Sequence, residues 1–392
     1  MKITDVVLVE LAGAYAGLEF PPGSRQAKQL DIYPEFDTES DSQGPVAGQT
    51  MTATYVEIRT DAGVSGIFGP IQDFQAFHVY RTLRPFLIGR DPLATELLFD
   101  QMLRLDRHGR SGMFMTAISA VDCALWDLKG KAWNQPIYRL LGGPTRPAVP
   151  AYASMLGFTV EPAGAAEVAA AYKEKGYRAQ KWFFRYGPAH GDAGIRHNLE
   201  MAQAVRDAVG ADYTLMFDAF MGWDVAFSTA MLQGLAEIRP YWMEEPFPPE
   251  RVGSFGRLRR ATGARLATGE HVYTRWQTKE LLVNEAVDVL QNDPDWTGGI
   301  SELTKVCVLA SAFDTPVVAH GHSLLAALHV AAAQPPTTVP FVEYLVRGQE
   351  GKQALHKHIY RPEQGEVQIP TLPGLGLVWD ENQIESQRER TY

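Results

Sequence analysis

Between Tyr213 and Leu345 the chain reads YTLMFD (213–218), YWMEE (241–245), ARLATGE (264–270), VDVLQND (287–293), TPVVAH (315–320) and PFVEYL (340–345). Each is a short apolar run of strand character with a charged or titratable residue at or near its end: Asp218, Glu244, Glu270, Asp293, His320 and Glu343. These residues recur every 23 to 27 positions, the length of one strand, one helix and their loops. Parallel βα repeats bring all strand ends to one face, so six residues spread over the second half of the chain are expected around one mouth.

Upstream, VPAYAS, EPAGAAEVAAAYKEKG, YRAQKWFF and GIRHNLEMAQAVRDAVG alternate strand and helix patterns. Eight strands from Val149 to Leu345 predict an α/β fold with a modified TIM-like (β/α) barrel over 146–345. Before it, residues 1–20 and 51–69 alternate as strands, with TDAGVSG (60–66) as a hairpin turn. LATELLFDQMLRL and MFMTAISAVDCALWDLKGKAW have helical spacing, and Gly142-Gly143-Pro144 stops the second run. An N-terminal α+β capping domain over 1–145 follows, completed by the irregular tail 346–392. PPGSRQAKQLDIYPEFDTESDSQGP (21–45) has no periodicity and reads as a long covering loop.

At 392 residues the length suits a barrel plus a smaller domain, and 45% hydrophobic residues with 21% charged ones fit a soluble globular protein. A net charge of −10 repels phosphate backbones and anionic membranes, so no nucleic-acid or membrane partner is expected. No stretch reads as a signal peptide or membrane span, and Cys123 and Cys307 form no metal-type pair; a cytoplasmic location is expected.

Asp218, Glu244 and Glu270 at consecutive strand ends make a hard oxygen set suited to Mg²⁺. A single strand-end acid is more often solvated or a helix cap; three in register argue for a metal. Glu245 should point away by strand alternation. Asp293 could orient His320 as a general base; alone, such a histidine would read as a satisfied core residue. His322 is a weaker candidate in the same loop, and His78, His108, His190, His197, His329, His356 and His358 read as structural or surface residues. Lys181 in AQKWFF could have a depressed pKa and act as base or electrostatic anchor, or could simply snorkel. Glu343, if its pKa is raised, could donate a hydrogen bond to an oxyanion. Arg25, Lys28, Gln29 and Tyr33 in the early loop could reach over the mouth to a polyol.

TDAGVSG, SAVDCALWDLKGKAWNQPIYRLLGG, LMFD, WMEEP, TGEH, LQND, WTGG, VVAHG and FVEYL, in this order, resemble the enolase superfamily, mandelate racemase subgroup. Within it the likeness is to acid-sugar dehydratases of the L-rhamnonate type, through KWFFRYGPAHGDAGIRHNLEM, GEH followed by YTRW, and FVEYL. The resemblance implies Asp218, Glu244 and Glu270 as Mg²⁺ ligands, a His320–Asp293 catalytic dyad, and Glu343 at the substrate carboxylate. It makes His271 a candidate for substrate contact or proton delivery, and implies a homo-oligomer of even order. Many relatives carry Lys-x-Lys on the second barrel strand, whereas Lys181-Trp182-Phe183 stands here. Phe183 moves no proton, which favours one-face chemistry: dehydration of a sugar acid through an enediolate to a 2-keto-3-deoxy acid. Epimerisation, racemisation or cycloisomerisation on the same carboxylates is the alternative. A Schiff-base aldolase using Lys181 would leave the acids unexplained, and a noncatalytic binder would leave the complete set of ligands, dyad and acid unexplained.

Overall fold

The structure, a computed structural model, describes residues 1–15, 21–37 and 50–392. Strands β1 (Ile3–Ala14), β2 (Thr50–Thr60) and β3 (Ser65–Ile71) form an antiparallel sheet, with the expected hairpin between β2 and β3. Helix Gly112–Ala132 is buried along most of its length and lies against this sheet. The approach is closest at Gly66, where a Cβ would come within 2.2 Å of the Ala124 carbonyl oxygen; only glycine fits. Sequence periodicity did not disclose the helical stretch Asp73–Leu87, whose short α and π turns have no sustained amphipathic repeat.

Seven parallel strands follow: β4 (Ala148–Ser154), β5 (Ala179–Phe183), β6 (Thr214–Asp218), β7 (Met243–Glu244), β8 (Leu266–Thr268), β9 (Val289–Leu290) and β10 (Val342–Leu345). They pair in sequence order, and β10 returns to pair with β4. The segment expected as the seventh of eight strands is reduced to one parallel bridge, Leu290 to Val317. Leu290 N donates to the Pro316 carbonyl at 3.0 Å, Val318 N to the Leu290 carbonyl at 2.8 Å and His320 N to the Gln291 carbonyl at 3.2 Å, so the segment still lies along β9, while Pro316 has no N–H to extend the ladder at its start. Tyr152, Met216, Trp242, Ala267, Val289 and Val318 plug the barrel interior, leaving the chemistry to the strand ends above.

The tail contributes β11 (Glu366–Gln368), antiparallel to β4, and β12 (Ile384–Arg390), which adds to the edge of the first sheet beside β1. Two buried aspartates of the long helix tie the layers together. Asp122 accepts from Ser301 N at 2.9 Å and Ser301 Oγ at 2.6 Å on the barrel side. Asp127 accepts from Ile67 N of β3 at 2.8 Å and Leu375 N of the tail at 2.7 Å. Losing either would leave buried amides without partners. Among the described residues no helix is long and apolar enough to cross a membrane, and both cysteines are free and buried.

Candidate active site

Strand β5 ends with Gln180 and Trp182 turned toward the surrounding helices and Lys181 turned into the barrel. Its ammonium, 1% exposed, touches Glu244 Oε1, lies 3.0 Å from Glu343 Oε1 and 3.3 Å from Asp218 Oδ2. A depressed pKa was expected here. Burial does pull Lys181 down, but the Glu244 and Glu343 charges outweigh it and hold the amine protonated, well above the ordinary lysine value. Among these acids Lys181 is a charged anchor rather than a neutral amine.

Asp218 closes β6 and accepts Phe220 N at 2.7 Å. Glu244 is buried at the end of β7 and accepts Trp242 Nε1 at 2.9 Å. Glu343 corrects a second expectation. Burial pushes its carboxyl up, but the charges of Lys181 and His320 bring it down to about 2, so it is ionised and donates no hydrogen bond. Its other oxygen accepts Gly321 N at 2.8 Å, anchoring the loop that follows His320.

The opposite half of the mouth is built around imidazoles. His320 Nδ1 lies 3.1 Å from Asp293 Oδ2, as expected from neighbouring strand ends, and its Nε2 lies 3.7 Å from Glu270 Oε2. Asp293 is fully buried and also accepts Asp295 N at 2.7 Å and His322 N at 3.0 Å, which fixes its orientation. Burial alone would lower the His320 pKa; Glu270, the bond to Asp293 and Glu343 raise it to about 10.

Glu245 does not point away. Its φ of +37° breaks the strand geometry on which alternation depends. Its carboxylate accepts Thr268 Oγ1 at 2.8 Å and meets His271 Nδ1 at 3.2 Å. Glu245, Glu270 and His271 offer ligand atoms within 4.8 Å of one another, the only such metal-type grouping among the described residues. Gly269, at φ +137°, lets the chain pass Gln291 N so closely that a Cβ would sit 2.8 Å from it; this turn delivers Glu270 to the mouth.

Sequence reasoning also missed Trp296 as a site residue, although WTGG was noted. Its indole stacks near His320 at 4.8 Å and 25°, near His271 at 5.4 Å and 29°, and lies 4.9 Å from His322 at a 40° tilt. The available signal was its place three residues after Asp293 in the same loop. His322 is turned onto Asp295, and with Lys352 and His356 it lines a small cavity of about 30 Å³ toward the capping domain.

In the early loop, Arg25 is 2% exposed and spent inside the protein: it pairs with Asp31, lies 3.5 Å from Asp37 and donates to the Phe36 carbonyl at 3.0 Å. The expectation that it reaches a substrate gives way to this role, because a guanidinium with two acids close in sequence satisfies itself locally. Arg185 at 2.8 Å and His190 at 2.8 Å bind the same Asp37 from the barrel side. Ala27 N donates to Phe184 O at 2.7 Å and Gln29 reaches Met221, so the loop lies over the ends of β5 and β6. Lys28 is half-buried and Tyr33 exposed. Positions 38–45 of the expected covering loop lie outside the described residues.

Asp218 and Glu244 gather at Lys181 and lie outside the Glu245–Glu270–His271 grouping, so the expected triad does not stand as one closed ligand set; what favours a hard divalent cation here is the excess of buried acid. Burial raises Asp218 to about 6 against the pull of Lys181, and Glu270 to about 7 against His320 and His271. Acids crowded and buried beyond their local counter-charges are relieved by a cation.

Residues 164–383 match the enolase C-terminal domain-like family, and residues 43–142 match the mandelate racemase / muconate lactonizing enzyme N-terminal domain. An L-rhamnonate dehydratase of Saccharopolyspora erythraea is 33% identical over 363 residues, which cover 90% of this chain and 88% of the relative. Rhamnonate dehydratase from Gibberella zeae, solved in complex with Mg, aligns with a TM-score of 0.83 at 29% identity, over 97% of this chain and 95% of the other. The 3,6-anhydro-D-galactonate cycloisomerase from Zobellia galactanivorans aligns with a TM-score of 0.78 at 27% identity, over 98% and 100%.

Proposed function

The chain belongs to the mandelate racemase / muconate lactonizing enzyme family of the enolase superfamily, and from that premise we propose a Mg²⁺-dependent hydro-lyase that dehydrates a rhamnonate-like aldonic acid. The observation that carries this reading is the buried Asp293–His320 pair facing Glu270 across one mouth with Asp218 and Glu244. The dehydratases among the relatives support it.

Asp218, Glu244 and Glu270 would hold the ion. When bound, Mg²⁺ neutralises these acids and acts as a Lewis acid toward negative charge developing on the substrate carboxylate. His320, relieved of part of the pull of Glu270, takes the proton from carbon 2, with Asp293 fixing its ring and stabilising the imidazolium. The C3–O bond then breaks, and the leaving hydroxide receives a proton from His320 or His271 and departs as water. The resulting enol tautomerises to the 2-keto-3-deoxy acid. Glu343, as an anion, holds Gly321 and Lys181 in place rather than donating a proton. Lys181 is the group suited to the substrate carboxylate.

Racemases and epimerases need proton-transfer groups on both faces. Here Phe183 stands where many relatives carry a second lysine and moves no proton, which favours chemistry from one face. Cycloisomerisation remains the second reading, supported by the anhydrogalactonate relative. Incubating the protein with Mg²⁺ and a panel of aldonic and aldaric acids in deuterated water separates the readings. A keto acid lacking the 3-hydroxyl is the expected product; labelled but otherwise unchanged substrate, or a cyclised or ring-opened isomer, would sink the dehydratase assignment.

A further inference from the structure

We propose that Lys181 is the internal counter-ion of the metal site, so that loading the divalent cation and capturing the substrate carboxylate are one coupled event. The inference rests on the Mg²⁺ reading above and adds the device that regulates it. A lysine ammonium has three N–H donors, and here three carboxylates surround it: Glu244 in contact, Glu343 at 3.0 Å and Asp218 at 3.3 Å. Two of these three, Asp218 and Glu244, belong to the proposed metal set. A divalent cation gripped by them would stand within a few ångströms of a buried positive charge, where repulsion is poorly screened.

The backbone of Lys181 cannot retreat. Its strand is registered against β6, with Lys181 opposite Met216, and its carbonyl accepts Met155 N at 2.9 Å. The four-carbon stem can move, and when it does Glu343 remains as one partner. The other partner has to be a new anion at the mouth, and an α-hydroxy acid brings one in its carboxylate. The position two residues on, Phe183, offers no second amine; its ring lies 5.4 Å from the Lys181 ammonium and contributes only its π face. Substrate binding therefore removes the competitor of the metal, and by thermodynamic reciprocity metal binding releases the ligand for the substrate.

The test is binding rather than turnover. Mg²⁺ alone is titrated calorimetrically into the metal-free full chain, with and without saturating glycolate, which has no 3-hydroxyl to lose. Lys181→Met is expected to bind Mg²⁺ about tenfold or more tightly than the unaltered protein, within the usual range of site-to-site coupling. Glycolate should tighten Mg²⁺ binding to the unaltered protein and do so much less in Lys181→Met. In chelator, Lys181→Met should melt at a lower temperature than the unaltered protein, and saturating Mg²⁺ should close that gap. If Lys181→Met does not fold, the double variant Lys181→Met/Glu343→Gln, which removes one charge of each sign, carries the same comparison. Unchanged or weaker Mg²⁺ binding in these variants, while Asp218→Asn abolishes it, would overturn the counter-ion role and leave the metal site standing. Absence of Mg²⁺ binding to every form would overturn both.

Discussion

The two halves of the barrel mouth balance their buried acids with different kinds of cation. On the β5–β7 side, Asp218, Glu244 and Glu343 gather around Lys181, whose amine stays charged because the acids outweigh its burial. On the β8–β9 side, Glu245, Glu270 and Asp293 gather around His271 and His320, and Trp296 stacks against both rings. Both cations are raised above their ordinary values by these acids, His320 to about 10. The imidazole starts from 6.5 and is brought back toward neutrality when an ion takes the Glu270 carboxylate, whereas the amine starts from 10.5. On the proposed function, proton transfer falls to the imidazole half and charge placement to the amine half, although both halves are equally acidic at the level of sequence.

The strongest challenge to that division is His320→Asn. Turnover should fall by on the order of 10²–10⁴, the usual contribution of a general base, while Mg²⁺ binding survives; kcat near that of the unaltered protein would return proton transfer to the other half. Asp293→Asn should cost roughly 10–100-fold, as loss of an orienting partner does. Trp296→Leu removes the shared stacking wall, and kcat should drop by roughly 2- to 30-fold, corresponding to about 0.5–2 kcal/mol of ring–cation interaction. If KM changes instead of kcat, Trp296 touches substrate rather than positioning the bases.

His329 belongs to neither half and serves as a reference for burial without counter-charge. Desolvation drops it from 6.5 to about 4, against a small opposing backbone bond. A histidine with a depressed folded pKa is neutral in the native state, so its contribution is complete above the unfolded value and is lost as pH falls from there through the folded value. At neutral pH this costs nothing. Melts at pH 7 and pH 4.5 should show about 2 kcal/mol of acid destabilisation from this group, absent from His329→Gln. Equal acid slopes in both proteins would deny it.

Much of this was legible before any coordinates. The 23-to-27-residue spacing implied parallel repeats, whose strand ends share one face, and so placed Asp218, Glu244, Asp293 and His320 around one mouth. What escaped depended on distance or on a single dihedral. Whether Lys181 is lowered or raised turns on which acids lie within a few ångströms, and three come from strands 37 to 162 residues downstream. Glu343 follows the same logic with the opposite sign. Glu245 escaped because one positive φ cancels the period-two rule. The seventh strand narrows to a single bridge, with Pro316 of TPVVAH at its start.

The anchoring of the early loop limits how the scaffold can be re-purposed. Asp37 belongs to the loop, yet Arg185 and His190, which hold it, sit in the segment after β5. A loop grafted from a relative without matching residues at 185 and 190 would arrive unmoored, so Asp37, Arg185 and His190 have to be exchanged as one unit.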